Sequence, residues 1–146
     1  MDKTNLIKGG FYTIAGAIGG CFGNMLGGFD KVLIALLFCM AADYITGLIV
    51  AIVFNSSTKT ETGGAQSKAG FIGLVKKIFI LILIVVINQI DIVLGTNGFF
   101  RNAAIIGFMA NEALSLVENA GLMGIKLPGA VTNAVDVLKK KSESKE

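Results

Sequence analysis

The chain has 146 residues, of which 53% are hydrophobic and only 16% are charged, with a net charge of +3 and a mean hydropathy of +0.73. A soluble domain of this size needs a larger charged surface, so the composition predicts an all-α integral membrane protein with several spans. Histidine is absent, which removes the commonest general base and metal ligand, so we expect neither an enzyme nor a cofactor or metal site. Cys21 and Cys39 lie in apolar stretches without a CxxC motif, and we interpret both as packing residues.

The first predicted span covers residues 11–28, which carry no charge and are rich in glycine. Small residues four positions apart form a ridge that lets another helix approach closely. The glycines that we expect to pack helices, one of them in the second span, are Gly16, Gly19, Gly20, Gly23, Gly27 and Gly47. Two alternatives stay open, a signal peptide and a lipoprotein cleavage box ending at Cys21, and the protein has three spans if this segment does not insert.

The second predicted span covers residues 32–54, with Asp30 placed to cap the helix at its start. Asp43 falls near the middle of this span, followed by Tyr44. A carboxyl group at that depth is expected to be neutralised by its surroundings or bonded to a partner. A structural role between helices and a role in a pore or trigger are both open for Asp43.

A flexible loop is predicted over residues 55–70, followed by a third span over residues 74–94. Lys76 and Lys77 are expected at the membrane surface, where lysines extend their amino groups towards water. Asn88 and Asp91 lie one turn apart near the far end of this span, and Arg101 follows at the opposite membrane surface.

The fourth predicted span covers residues 102–122 and is interrupted by polar groups at helical spacing. The residues on this polar face are Asn111, Glu112, Ser115, Glu118 and Asn119. Ionised carboxylates are costly against lipid, so we expect the face to point at other helices, at water or at a second subunit.

The segment after Pro128 divides the chain into a membrane domain, residues 1–128, and a basic cytoplasmic tail, residues 129–146, which can form a short helix. Lys139, Lys140 and Lys141 favour anionic lipid headgroups, with simple solvation as the alternative, and nucleic acid is not an expected partner. With four spans, only Lys31 and Arg101 of the 13 basic residues lie on the side opposite the termini. The positive-inside rule therefore predicts cytoplasmic termini.

Several short motifs between residue 41 and the tail occur together in a recognisable order. They are Asp43-x-x-x-Gly47, Asn55-Ser56-Ser57, Lys68-x-Gly70, Lys76-Lys77, Asp91, Arg101, Asn111-Glu112-x-x-Ser115-x-x-Glu118-Asn119 and Gly124-x-Lys126-x-Pro128. In these residues the sequence resembles the toxin secretion/phage lysis holin family of clostridial and other Gram-positive phages.

The resemblance implies a phage-encoded, multi-pass protein of the host cytoplasmic membrane that oligomerises into lesions. Its expected partners are copies of itself and the lipid membrane, with an endolysin or a toxin as cargo that need not touch it. Lesions of this kind collapse the membrane potential and lead to host cell lysis or toxin secretion. Three alternatives stay open: a holin antagonist, a small channel or transporter, and a scaffold that recruits a partner through the basic tail.

Overall fold

The computed structural model describes residues 3–131 and 133, and all regular structure within this part of the chain is helical. The helices are α1 (Lys3–Met25), α2 (Lys31–Ile49), α3 (Ser67–Leu94) and α4 (Phe99–Leu122), and a π-helical turn (Val50–Phe54) continues α2. The predicted all-α class is therefore confirmed. Most of the predicted tail, including Lys139, Lys140 and Lys141, lies outside the described residues.

The start of α2 follows from the residue that precedes it. Asp30 adopts an extended backbone conformation, and its Oδ1 accepts a hydrogen bond of 2.9 Å from the Leu33 N–H. This bond satisfies one of the donors that a helix leaves free at its first turn. The predicted capping role of Asp30 is confirmed.

The connection between α2 and α3 is shorter than predicted. The π-helical turn ends at Asn55, which has a positive φ of 47°, and α3 begins at Ser67. The predicted loop over residues 55–70 is therefore wrong at its far end, where the chain is already helical. Helix ends set by polar residues carry a weak periodic signal, which explains the error.

The apolar core lies in the half of the bundle next to the α1–α2 and α3–α4 turns. Leu33 and Leu36 of α2, Ile84 of α3 and Ile105 of α4 are fully buried. Leu26 and Met40 complete this core, with Ile80, Leu81 and Phe108 packed against it. Among the pairs of helices, α2 and α4 make the most extensive contact.

Two helical segments are long and apolar enough to cross a membrane, Lys31–Phe54 and Ser67–Leu94. They correspond to the second and third predicted spans. Large apolar side chains such as Phe38 and Val93 point away from the bundle on both segments. Outward-facing apolar side chains are what lipid requires of a helix that is only partly covered by its neighbours.

Candidate functional site

The buried polar side chains of the described residues fall into two groups, one near the middle of α2 and α4 and the other beside the α1–α2 and α3–α4 turns. We name the first the Lys77 cluster; it consists of Asp43, Lys77, Glu112 and Asn119. We name the second the Arg101 cluster; it consists of Asp30, Asn88, Asp91 and Arg101. The apolar core separates them, so each cluster is described by itself.

The Lys77 cluster joins three helices through one ammonium group. Lys77 of α3 donates from Nζ to Asp43 Oδ2 of α2 at 2.9 Å and also to Glu112 Oε2 of α4. Only 13% of the Lys77 side chain is exposed, and the two carboxylates are still more buried. Because charges removed from water need partners, this geometry accounts for two acids deep in an apolar bundle.

Asn119 extends the same cluster along α4. It lies about two turns beyond Glu112 and therefore on the same helix face. Its Nδ2 donates to Asp43 Oδ1 at 3.2 Å and to Thr46 Oγ1 at 2.9 Å. Both oxygens of the Asp43 carboxylate thus have donors, one from α3 and one from α4.

A cavity of about 770 Å³ lies beside the Lys77 cluster. Its walls come from the second half of α2, the first half of α3, the end of α4 and the loop before α3. Tyr44 projects into this region, and a methyl group added at Gly70 of α3 would lie 3.6 Å from its hydroxyl oxygen. The volume is in the range of small-molecule pockets, and because Asp43, Lys77 and Glu112 are among the lining residues, there is room for water beside the ion pairs.

The Arg101 cluster ties the α1–α2 turn to the start of α4. The guanidinium of Arg101 donates to Asp30 Oδ2 at 2.7 Å, to the Gly28 carbonyl at 3.1 Å and to the Leu26 carbonyl. Arg101 is 3% exposed. The hydrogen bond from Arg101 holds the pKa of Asp30, which lies in the turn between α1 and α2, below its ordinary value.

Glycine is required where the turn meets this guanidinium. Gly27 has a φ of +85°, and a Cβ there would lie 2.6 Å from Asn88 Oδ1 and 2.7 Å from Arg101 Nε. Both the backbone conformation and the space therefore exclude a side chain. Asn88 also donates from Nδ2 to the Met25 carbonyl at 3.1 Å, which fixes the end of α1 on α3.

Asp91 organises the turn between α3 and α4. Its carboxylate accepts the Phe100 N–H at 3.1 Å and the Arg101 N–H at 2.7 Å, and the Thr96 hydroxyl donates to it as well. Two of the free donors at the start of α4 are thereby satisfied. Asp91 thus acts across the turn as a cap for the next helix.

The structure divides the polar face predicted on α4. Glu112 and Asn119 are buried in the Lys77 cluster, and Ser115 between them is half-buried and lines the cavity. Asn111 and Glu118 are exposed. All three intramembrane polar residues predicted on the other spans, Asp43, Asn88 and Asp91, are buried and hydrogen-bonded.

The predicted packing glycines meet different surroundings. Gly27 packs against the Arg101 cluster as described above. Gly23 lies against the Phe29 ring, and Gly47 faces Asn119. A methyl group at Gly16, Gly19 or Gly20 would meet no atom within 4 Å in the described part of the chain.

The basic residues predicted at the membrane surface also separate. Lys76 is exposed, whereas Lys77 and Arg101 point into the bundle and bind carboxylates. Sequence reasoning missed this pairing. The sequence did contain a signal for this pairing. The acids within the apolar segments need cations, and few basic residues lie within those segments to provide them.

These features define a class: a small all-helical membrane protein in which buried acidic and basic side chains pair inside the bundle. Among the described residues, no group of three His, Cys, Asp or Glu side chains is placed to hold a metal ion. Comparison with known proteins then gives the family. The chain belongs to the bacteriophage holin family, whose sequence profile matches residues 20–140.

Relatives from Gram-positive bacteria and a phage are similar over most of their length. The uncharacterized proteins Lin0175 of Listeria innocua and Lmo0128 of Listeria monocytogenes are each 38% identical to this chain. The first alignment covers 88% of this chain and 86% of the relative, and the second covers 85% and 83%. The probable holin of Bacillus phage phi105 is 30% identical over 79% of both chains. No solved structure matches the chain.

Proposed function

We propose that this protein is a holin that accumulates in the host cytoplasmic membrane and then oligomerises into lesions. The lesions depolarise the membrane and release an endolysin, or in a related setting a toxin, without binding it. The protein makes no covalent chemistry in this role. Family membership and the similarity to the probable holin of Bacillus phage phi105 support the proposal.

The observation that carries the proposal is the position of the Lys77 cluster. Asp43 lies near the middle of the apolar segment Lys31–Phe54, so its carboxylate sits far from both ends of a spanning helix. A charged group in the membrane interior has a high desolvation free energy, and in a single chain the pairing with Lys77 offsets it. The same groups, once separated, provide a surface that needs water or another chain, which is what assembly of a lesion requires.

We infer a topology of four spans with both termini on the cytoplasmic side. Helices α2 and α3 are apolar enough to span alone, and α4 inserts with its polar side against them. The loop before α3, which contains Lys59, and the start of α3, which carries Lys68 and Lys76, then lie on the cytoplasmic side, as the positive-inside rule favours. The domain division at residue 128, with a basic tail at the membrane surface, belongs to the same proposal.

In the assembled state, the polar face of α4 lines water or a contact between subunits. Its residues are Asn111, Glu112, Ser115, Glu118 and Asn119. The open ridge of Gly16, Gly19 and Gly20 on α1 is available for close packing against a second copy. The two surfaces lie on different helices, which allows a chain to contact more than one neighbour.

Induced expression in a bacterium that carries a cytoplasmic endolysin tests this function. Membrane potential and culture turbidity are followed together, with the amount of protein in the membrane measured by immunoblot. We expect abrupt depolarisation and then clearing that depends on the endolysin. Steady growth with the protein present in the membrane would refute the holin role.

Three further experiments separate the alternatives. A holin antagonist would delay lysis when it is expressed with an active holin. A channel or transporter would give substrate flux in liposomes without abrupt lysis. A scaffold would lose function when residues 129–146 are deleted, whereas a holin should change mainly in the timing of lysis.

A further inference from the structure

We propose that the Lys77 ion pairs form a latch that holds the first half of α3 against α2 and α4, and that opening this latch frees the surface used in assembly. The proposal rests on the proposed holin function for its biological meaning. The conformational change itself is measurable without it.

The first observation is that α3 is anchored unevenly. Its buried residues, Ile84, Asn88 and Asp91, all lie in the second half of the helix. That half packs on the apolar core, and its end is fixed by the Arg101 cluster. The first half contributes side chains to the wall of the cavity.

The second observation is the position of Lys77 at the border between these halves. It lies about 15 Å along the helix from Ser67, because an α-helix rises about 1.5 Å per residue. Its ammonium holds carboxylates from both α2 and α4. An ion pair at this point resists outward movement of the first half of α3, while the second half stays fixed as a hinge.

The third observation concerns the contact between α2 and α3 in this region. A methyl group at Gly70 or Gly73 would lie 3.6 and 3.9 Å from atoms of Tyr44, which is ordinary contact distance. The ring therefore rests beside glycines that offer no side chain to interlock with it. Contacts of this kind are lost more readily than interdigitated packing, so the charged pairs are the main restraint.

Movement of α3 away from α2 and α4 uncovers a defined set of groups. Asp43 and Glu112 lose their partner Lys77, and Ser115 and Asn119, which line the cavity beside them, become open. In lipid these groups cannot stay unpaired, so the open form is driven towards the same surface of a second copy, which offers matching polar partners. The occupant is thus a second copy of this chain.

Thiol accessibility in membrane vesicles tests the latch. A Ser115→Cys probe is placed in a background with Cys21→Ser and Cys39→Ala, and its reaction with a bulky, membrane-impermeant maleimide is timed. We expect Lys77→Met to raise the labelling rate about tenfold, since a shift of roughly 1.4 kcal/mol in the closed-to-open equilibrium is a factor of ten. Lys76→Met is the matched control, because it removes the same charge from an exposed neighbour.

The charge-swapped protein with Asp43→Lys and Lys77→Glu provides the rescue. In it an ammonium from α2 faces carboxylates from α3 and α4, which is the same set of charges with two positions exchanged. We expect its labelling rate to return towards that of the parent, whereas Lys77→Glu alone labels fast. Equal rates for Lys77→Met and Lys76→Met, with no effect of the swap, would overturn the latch.

A reducible tether tests the latch without changing Lys77. With Tyr44→Cys and Gly73→Cys in the background free of other cysteines, a short bifunctional thiosulfonate joins α2 to α3. We expect the tethered protein to delay depolarisation and a reductant to restore it. Unchanged timing in the tethered protein would contradict the latch, and this arm decides the question if Lys77→Met does not accumulate.

Failure of the latch and failure of the holin role give different results. If Lys77→Met accelerates labelling but the parent never depolarises cells, the latch is correct and the holin role is wrong. If the parent lyses cells and both methionine variants label alike, the holin role is correct and the latch is wrong.

Discussion

The Arg101 cluster and the Lys77 cluster use the same chemistry, a buried cation against carboxylates, in different surroundings. Arg101 has a rigid planar group whose donors meet two backbone carbonyls and one carboxylate at a tight turn. Lys77 has a flexible stem and meets two carboxylates beside a cavity. The first arrangement fixes backbone, and the second joins side chains of separate helices.

This difference indicates where the molecule is stable and where it can change. Backbone turns held by Arg101 and Asp91 cannot separate without breaking several hydrogen bonds at once. The Lys77 pairs have room for water next to them, so their separation exposes charges that can be solvated. We therefore expect changes at the Arg101 cluster to affect stability and changes at the Lys77 cluster to affect timing.

The largest effect is expected for Arg101→Met. This change leaves the Leu26 and Gly28 carbonyls without their donor and removes the partner of the half-exposed Asp30 carboxylate. Each buried polar group left without its hydrogen bond costs about 1–3 kcal/mol, and here several are lost at once. We expect a severe loss of folded protein in the membrane, measured by immunoblot and by thermal unfolding in detergent. Lys31→Met, an exposed basic residue at the same end, is the control.

A smaller loss of stability is expected for Gly27→Ala. A positive φ in a residue other than glycine costs on the order of 1–3 kcal/mol, and here a Cβ would also collide with Asn88 and Arg101. Gly28→Ala is a matched control, since Gly28 has a φ of +95° but no atom of the described chain within 4 Å of the added group. Equal midpoints of thermal unfolding for the two variants would show that the collision is relieved without cost.

The sequence patterns predicted which residues need a bonding partner inside the bundle. They did not predict which residues those partners are. The acids at Asp43, Asp91 and Glu112 were recognisable because each interrupts an apolar segment at known depth. Lys77 lies 34 residues from Asp43 and 35 from Glu112 in the chain, so their meeting depends on how three helices are rotated against one another. Periodicity defines the polar side of one helix but does not show which neighbour it faces.

The same reasoning explains why the ion pairs of Lys77 and Arg101 were not predicted and why the Asp30 cap was. A lysine next to an apolar run usually lies at the membrane surface, so the general rule predicts that position. The ion pair joins residues far apart in the chain, and nothing in the local sequence indicates it. The Asp30 cap needs only the residues that directly follow it, so the local sequence was sufficient. Local features of the fold were predictable, and the pairing of charges across helices was not.

Asp43→Asn and Asp91→Asn are expected to have moderate effects on different quantities, the first on the timing of lysis and the second on the amount of protein in the membrane. An amide at position 43 still accepts one hydrogen bond but weakens the pair with Lys77, and the adjoining cavity has room for water to solvate the groups left over, which limits the loss. An amide at position 91 cannot accept the Phe100 and Arg101 N–H groups with both of its terminal atoms. We expect Asp43→Asn to shift the onset of lysis at normal membrane abundance, and Asp91→Asn to lower that abundance.

The smallest effect concerns pH at the Arg101 cluster. Asp30 has its pKa lowered below the ordinary value of 3.8, chiefly by the Arg101 hydrogen bond. A carboxyl group with a lowered pKa in the folded state contributes stability that is fully present above its unfolded value and is lost as the pH falls through the folded value. Unfolding midpoints in detergent should therefore stay level from neutral pH down to about 5 and decline only in stronger acid.

Asp30→Asn isolates that contribution, because asparagine is an equally good helix cap but cannot form the ion pair. The Asp30 side chain is 43% exposed, so solvent screening limits the pair to about 1 kcal/mol or less. We expect the variant to unfold slightly earlier than the parent at pH 7 and to lose part of the decline in acid. An identical acid dependence in both proteins would assign the decline to other carboxylates, and the Arg101 cluster would then owe its stability to the backbone carbonyls rather than to the charge of Asp30.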